Sequence, residues 1–245
     1  MLDKIILLSD IHANLTALCA VLSDISAKYQ PDAFVLLGDV VNYGMRPNEV
    51  IDKLSQLEYP LIVNLQGNHE KAILDDDLNC FSTERGKELL RYTLSVLSEK
   101  SLSYIKSKMN PDAHCCIEVA GKHLLFLHGD VGDPHWGKLT TDKTNDIRYS
   151  SYDYVFSGHT HIPHYIESYF KIDCPELRNR KKTVFINPGS VGQPRNQNPC
   201  AQYVYIELSN NRVHYNSVSY DVEMERSLYP NHIDTFYRDR LVLGV

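Results

Sequence analysis

The chain has 245 residues, of which 43% are hydrophobic, so it is long enough to bury a substantial core within one domain. Its net charge of −6 provides no general positive field, which excludes broad electrostatic attraction of nucleic acid or an anionic membrane. The six cysteines form no CxxC pair and no regular framework, so we expect reduced thiols in a cytoplasmic protein.

Short apolar runs and amphipathic segments alternate over the N-terminal third of the chain. The runs at residues 5–9, 33–37 and 61–65 have the length of buried strands, and residues 15–29 and 48–57 have helical spacing. This order predicts βαβ units and a sheet that is buried on both faces. No run approaches the ~18 apolar residues of a membrane-spanning helix, and the first residues do not resemble a signal peptide.

A polar and mostly helical segment follows at about residues 70–110. Helical spacing predicts helices at residues 84–97 and 101–108, and the segment lacks the apolar runs that are typical of strands. We interpret it as a helical cap-like insertion within a single domain of residues 1–245.

The second half of the chain is rich in predicted strands. Hairpins are predicted at residues 115–129 and 201–220, and further strands at residues 154–159, 164–172 and 183–187. The C-terminal end of the chain is expected to be helical and peripheral. Together with the N-terminal third, this pattern predicts one domain with two sheets at its centre.

Five of the apolar runs end with a polar residue beside a small one, in LLSD, VLLGD, VNLQGN, FLHG and VFSGH. The carboxyl ends of parallel strands are where α/β proteins place ligands, and a neighbouring glycine lets the backbone approach closely. Two further histidines stand two positions away, where an extended chain points side chains the same way. The candidate ligands are Asp10, His12, Asp39, Asn68, His128, His159 and His161.

Each of these residues also has an ordinary structural interpretation. An aspartate or asparagine after a strand usually caps a helix or forms a turn, and an isolated histidine is usually only hydrogen-bonded. Together they favour metal binding, because all seven side chains offer nitrogen or oxygen donors. Seven donors exceed the needs of one ion and suit two divalent cations that share a carboxylate.

The motifs that contain these residues resemble those of the calcineurin-like metallophosphoesterase superfamily. They are, in chain order, SDIH (9–12), GDVVNYG (38–44), GNHE (67–70), HG (128–129) and GHTH (158–161). The segment INPGSVGQPR (186–195) is similar to a signature of the small bacterial and archaeal phosphodiesterase-like branch. The resemblance implies a four-layer α-β-β-α sandwich, in which helices flank two mixed sheets and the metal site lies at the C-terminal ends of strands.

The resemblance also implies a role for each residue of the site. One ion would be held by Asp10, His12 and His161. The other would be held by Asn68, His128 and His159, and Asp39 would bridge both. His69 would be the catalytic general acid at the leaving oxygen, because an ordinary histidine titrates near neutral pH. Mn²⁺ is the expected metal, and Fe, Zn²⁺, Ni²⁺ and Co²⁺ suit the same donors.

One segment departs from the pattern of the protein phosphatases in this superfamily. Those enzymes resemble one another in a GDxVDRG segment, whose second aspartate supports the catalytic histidine and whose arginine binds phosphate. Asn42 and Tyr43 occupy these two positions here. Arg46 and Arg195 are the candidate substrate-binding residues in place of that arginine, and Arg148 is a third candidate.

The sequence therefore predicts a dinuclear metal-dependent phosphoric ester hydrolase, in particular a phosphodiesterase, that acts on a small phosphorylated substrate. A serine/threonine protein phosphatase and a dinucleoside polyphosphate hydrolase are the enzymatic alternatives. A non-catalytic protein-binding scaffold on the same fold is the alternative from another class, although such a scaffold is expected to lose ligands. No nucleic-acid groove and no membrane attachment are expected, and homo-oligomer formation stays open.

Overall fold

Two five-stranded sheets pack face to face in a computed structural model of the protein, which describes residues 2–245. The strands are β1 (Lys4–Leu8), β2 (Ala33–Leu36), β3 (Leu61–Asn64), β4 (His114–Val119), β5 (Lys122–Leu127), β6 (Tyr154–Phe156), β7 (His164–Lys171), β8 (Arg180–Asn187), β9 (Ala201–Glu207) and β10 (Arg212–Val218). The α-helices are α1 (Leu15–Lys28), α2 (Pro47–Leu54), α3 (Asn68–Asp75), α4 (Glu84–Val96), α5 (Glu99–Lys108), α6 (Val222–Ser227) and α7 (Thr235–Leu243). These elements confirm the predicted α/β fold of two mixed sheets.

The order of the strands brings the ends of six of them to one rim. The first sheet has the order β10-β9-β1-β2-β3, with β1, β2 and β3 parallel and β9 antiparallel to β1. The second sheet has the order β4-β5-β6-β8-β7, with β5, β6 and β8 parallel and both edge strands antiparallel to their neighbours. The loops after the parallel strands of both sheets carry the predicted ligands.

Both faces of β1 are buried, which explains why its sequence shows no alternation of polar and apolar residues. Ile5 and Leu7 face the second sheet and pack with Phe126 and Phe156. Ile6 and its alternate neighbours face the opposite side and pack against the helical layer of α1 and α2. Full burial of one such side chain contributes about 1.5–3 kcal/mol, so the space between the sheets is a main source of stability.

The layer outside the second sheet differs in detail from the prediction of flanking helices. Two short 3₁₀ helices at Thr141–Asn145 and Ile147–Ser151 cover this face, and Tyr149 packs there against Phe185. The residues between 141 and 151 are rich in threonine, asparagine, aspartate and serine. These side chains bond to nearby backbone groups and favour turns and caps over long α-helices.

The helices of residues 70–110 belong to the helical layer on the first sheet. Leu90 of α4 and Ile105 of α5 share a core cluster with residues of α1 and α2. Leu89 packs on the other side of α4 against Tyr229 and Tyr237 of the C-terminal segment. That this segment acts as a cap over the substrate stays a prediction. No helix within residues 2–245 combines the length and apolar character needed to cross a bilayer.

Candidate metal centre

Four side chains from three strand ends converge at the rim of the two sheets. Asp10 and His12 follow β1, Asp39 follows β2, and His161 follows β6. Each offers one nitrogen or oxygen atom, and these atoms lie within 4.8 Å of one another. All four residues are buried, so water does not easily compete for these atoms.

A second group of donors shares Asp39 with the first. Asp39, His128 and His159 again place ligand atoms within 4.8 Å of one another. Asn68 joins this group, because its Oδ1 lies 3.0 Å from His128 Nε2 and 2.9 Å from His159 Nδ1. The structure thus brings together all of the side chains predicted as ligands, in two groups with one common carboxylate.

The hydrogen bonds of the first group show that its donors fit a cation. Nδ1 of His12 lies 3.2 Å from Val41 O, and Nδ1 of His161 lies 2.6 Å from Gln193 O. Since a carbonyl oxygen only accepts, each Nδ1 carries a proton and each neutral ring turns an Nε2 lone pair inward. The two Nε2 atoms are 3.2 Å apart and face Asp10 Oδ1, which has no hydrogen-bond partner within residues 2–245. A cation satisfies such a set of acceptors.

Burial keeps most of the histidine rings neutral, as metal binding requires. Desolvation holds the pKa of His12 well below its usual value and lowers the pKa of His159 to about 4. Burial also opposes protonation of His128, but the Asp39 carboxylate, 3.3 Å away, raises its pKa to about 9. Because His128 Nδ1 donates to Leu37 O at 2.7 Å, a cation at Nε2 would displace the other proton of this ring.

The ligand loops hold their residues in the left-handed backbone region, which residues other than glycine rarely adopt. The φ angle is 53° at Asp10, 47° at His12, 53° at Asp39, 63° at His159 and 59° at His161. Each such residue costs of order 1–3 kcal/mol and persists only where surrounding contacts fix it. This concentration of strained residues at one rim is typical of a functional site.

Glu70 fixes two of these loops, a role that the sequence did not suggest to us. Its buried carboxylate accepts backbone N–H groups from Asp39 at 2.9 Å, Val40 at 2.8 Å, Val41 at 3.1 Å and Gly67 at 2.7 Å. Glu70 is the third residue of α3. A glutamate three positions after the N-cap residue, here Gly67, commonly bonds to backbone N–H groups, and this spacing could have revealed its role. It therefore ties the loop after β2 to the loop after β3.

His69 lies between the donor groups and two aromatic side chains, Tyr43 and Phe81. Its backbone N–H donates to Asp39 Oδ1 at 3.0 Å, and its Nε2 lies 3.9 Å from Asp39 Oδ2. Burial lowers the pKa of His69 to about 4, below the ordinary value from which we argued its role in the sequence. At neutral pH this imidazole carries a single proton.

Asn42 determines which nitrogen of His69 carries that proton. Asn42 Oδ1 accepts the backbone N–H of Tyr43 at 2.8 Å and the hydroxyl of Thr93 at 3.2 Å. Its Nδ2 is therefore the atom that lies 2.8 Å from His69 Nδ1, and an amide NH₂ group can only donate. His69 Nδ1 is consequently an acceptor, and the ring proton lies on Nε2, on the side of Asp39.

Two of the three arginines considered as substrate-binding residues have partners of their own. Arg46 pairs with the buried Glu225 and donates to Thr16 at 2.5 Å. Arg148 pairs with Asp146 at 2.6 Å on the protein surface. The structure does not bring these two charges into the donor groups, and a neutralised arginine is a weak site for phosphate.

The C-terminal helix packs against a residue that lies beside the centre, which corrects the expectation that it is peripheral. Tyr237 of α7 stacks on Tyr43 with ring centroids 4.7 Å apart, and the Tyr43 ring lies 4.4 Å from the His69 ring. Burial raises the pKa of Tyr43, and both Arg195 and Arg240 are close enough to oppose that rise. The spacing of the last residues carried no signal for this contact.

A sandwich of two mixed sheets with nitrogen and oxygen donors gathered at one rim defines the class of the metallophosphoesterases. The family model described as the calcineurin-like phosphoesterase superfamily domain matches residues 4–211, and the chain belongs to this family.

Proteins from several organisms are similar to this chain over its whole length. The uncharacterized protein MJ0912 of Methanocaldococcus jannaschii is 30% identical over 249 residues, which cover 99% of this chain and 98% of that protein. The crystal structure of a metallophosphoesterase from Sphaerobacter thermophilus has a TM-score of 0.75 and 27% identity, covering 99% and 100% of the two chains. Protein PH1004 from Pyrococcus horikoshii OT3 shares the fold, with a TM-score of 0.81, 18% identity and coverage of 99% and 98%.

We predict that Glu70→Gln destabilises the fold. The amide keeps one acceptor oxygen but turns an NH₂ group toward backbone N–H donors that are buried. Because unsatisfied buried groups cost about 1–3 kcal/mol each, we expect the free energy of unfolding to fall by about 2–4 kcal/mol, measured by urea denaturation.

The matched control is Glu84→Gln in α4, where the carboxylate is 77% exposed and pairs with Lys87. Its effect should stay within about 0.5 kcal/mol. Equal losses in the two variants would contradict the role assigned to Glu70.

Proposed function

We propose that this protein is a two-metal phosphodiesterase that cleaves a phosphate ester with water. The observation that carries the proposal is the convergence of nitrogen and oxygen donors in two groups that share Asp39. One cation would be held by Asp10, His12 and His161, and the other by Asn68, His128 and His159. When bound, two divalent cations supply Lewis acidity toward water and stabilise the negative charge of the phosphate. Mn²⁺ is the metal we propose, since the donors mix imidazole with hard oxygen atoms.

The position of Asp39 supports its role as the bridging ligand. One carboxylate oxygen accepts the N–H of His69 at 3.0 Å, which fixes the group. The other lies 3.8 Å from His12 Nε2 and 3.3 Å from His128 Nε2, one in each donor group. A negative charge between two cations offsets their mutual repulsion. Neutral Asn68 completes its group without adding a charge that would repel phosphate.

His69 is the proposed catalytic residue that acts on the leaving oxygen. Its neutral ring holds the proton on Nε2, because Asn42 donates to Nδ1. A neutral imidazole can still stabilise a developing oxyanion by hydrogen bonding from Nε2 while it keeps this proton. Asn42 is then a positioning residue that keeps this proton directed at the centre.

Two of the alternatives, the protein phosphatase and the non-catalytic scaffold, are less well supported by the same residues. Asn42 replaces an aspartate and Tyr43 replaces an arginine of the protein phosphatases, and the Tyr43 ring packs on His12, His69 and Tyr237 where no arginine stands. A non-catalytic scaffold would be free to lose donors, whereas every predicted ligand and His69 are kept here. Hydrolysis of a small diester therefore remains our proposal.

Bis(p-nitrophenyl) phosphate provides a direct test of the function. We expect hydrolysis by the protein loaded with Mn²⁺, and loss of activity when a chelator removes the metal and its return when the metal is added again. Zn²⁺, Co²⁺ and Ni²⁺ are to be assayed in parallel. No turnover with any of these metals would support the scaffold instead.

We predict that His69→Ala lowers turnover by roughly 10²–10⁴-fold while two metal ions stay bound, because the side chain is not among the ligands. Metal content is measured by plasma mass spectrometry on the same samples as kcat.

Asp39→Asn is the contrasting variant and should lose both metal and activity, since it removes the shared charge. His123→Ala, an exposed histidine of β5, should change neither quantity. A fall of metal content in His69→Ala would make His69 a ligand.

Asn42→Ala tests whether the contact with His69 serves the leaving group. We expect kcat for methyl phenyl phosphate, a diester with a poor leaving group, to fall roughly tenfold. For methyl p-nitrophenyl phosphate the fall should be clearly smaller, because its leaving group needs less help from a proton donor. Asn145→Ala, at an exposed site, is the control. Equal falls for both esters would show that Asn42 only supports the structure.

A further inference from the structure

Three partly buried arginines lie on segments near the candidate metal centre, and two of them approach the same aromatic ring. Arg85 lies in α4, Arg195 in the loop after β8, and Arg240 in α7. The guanidinium carbons of Arg85 and Arg240 lie 3.7 Å and 5.1 Å from the ring centroid of Phe236. This ring helps to hold Arg85 and Arg240, but it carries no negative charge that could offset theirs.

Arg195 and Arg240 lie on segments that are attached to each other and to the donor loops. The backbone N–H of Arg195 donates to His161 O at 3.3 Å, and Gln197 N–H donates to Gly244 O at 2.7 Å. Arg195 is thus attached directly to a donor loop, and the segment of Arg240 is attached to it through the contact between Gln197 and Gly244.

No aspartate or glutamate side chain within residues 2–245 pairs with Arg195 or Arg240, although the chain has 31 acidic residues. Arg195 Nε is buried without a hydrogen-bond partner in the same range, and its Nη2 makes only a 3.4 Å contact with Gln193 Oε1. Arg240 donates from Nε to Val245 O. Burial, together with the charge of Arg195, lowers the pKa of Arg240 to about 10.

The chain neutralises arginines of similar exposure elsewhere. Arg46 pairs with Glu225, and Arg226 pairs with both Glu223 and Asp239. Keeping two like charges close together without a counter-ion is unfavourable, more so where water is partly excluded. A bound anion would remove that cost and use the free N–H donors of both guanidinium groups.

We propose that Arg195 and Arg240 form a second anion-binding subsite, so that the substrate is a phosphate ester carrying a further phosphate group. This inference rests on the proposed function, which places the reacting phosphate at the metal centre. The Tyr43 ring lies between the metal centre and α7, with its centroid 4.6 Å from the His12 ring and 4.7 Å from the Tyr237 ring of α7. An ester with a single phosphate would occupy the metal centre and leave the arginine pair without a partner.

A pair of synthetic esters isolates the contribution of the second phosphate. Thymidine 5′-(p-nitrophenyl phosphate) and its 3′-phosphorylated form share the scissile bond and the leaving group. With the Mn²⁺-loaded protein we expect kcat/KM to be roughly tenfold or more higher for the 3′-phosphorylated ester, the gain of a charge-assisted hydrogen bond. The ratio should fall toward 1 in Arg195→Gln and in Arg240→Gln. Arg178→Gln, an exposed arginine beyond the second sheet, should keep the full ratio.

Equilibrium binding supplies a readout that needs no turnover. Calorimetry should show thymidine 3′,5′-bisphosphate binding at least roughly tenfold more tightly than thymidine 5′-monophosphate, with the difference lost in both glutamine variants. Thermal melting of each variant verifies that it is folded.

Equal binding of the two nucleotides by the unmodified protein would overturn the inference, as would a preference that survives in both variants. Absence of hydrolysis of either ester would instead contradict the proposed function, and the calorimetry would still decide whether the arginine subsite exists.

Discussion

The candidate metal centre depends on the carboxylate of Asp39, whose backbone conformation is unfavourable and is held in place by neighbouring hydrogen bonds. Asp39 follows β2 with a φ angle of 53°, a conformation that is costly for a residue with a side chain. Glu70 offsets this cost, because its carboxylate accepts the N–H groups of Asp39 and of the residues that follow it. Asp39 in return accepts the N–H of His69, two residues after Gly67. The loops after β2 and β3 are thus one hydrogen-bonded unit.

Each residue of the segment GNHE (67–70) contributes to this unit. Gly67 passes so close to Asp39 that a methyl group on its Cα would overlap the carboxylate. Asn68 offers a donor oxygen to the second group, His69 directs Nε2 toward the centre, and Glu70 fixes both loops. These four consecutive residues therefore make four different contributions to the geometry of the rim, and only the two central ones are visible as candidate chemistry in the sequence.

The strands and the residues at their ends could be predicted from the sequence, because both follow from local pattern and strand order. Apolar runs placed the strands, and the rule that parallel strands end at one edge brought Asp10 and His128 into one site across 118 positions of the chain. Properties set by the surroundings of a side chain were not accessible in this way. The pKa of His69 depends on burial, and the proton position depends on which way the amide of Asn42 faces. The approach of α7 to Tyr43 is a tertiary contact between distant segments that no local spacing encodes.

The distribution of charge indicates how such an acidic protein could select an anionic substrate. Among the donors only Asp10 and Asp39 are carboxylates, while Asn68 and the histidines are neutral ligands. Two divalent cations would therefore leave the centre with an excess of roughly two positive charges, and two arginines without an acidic side-chain partner stand beside it. The chain as a whole carries a net charge of −6, which gives no general attraction for polyanions at long range. Attraction of a phosphate group would therefore come from charges at the rim itself, and such a short-range attraction favours small phosphorylated molecules over long nucleic acids.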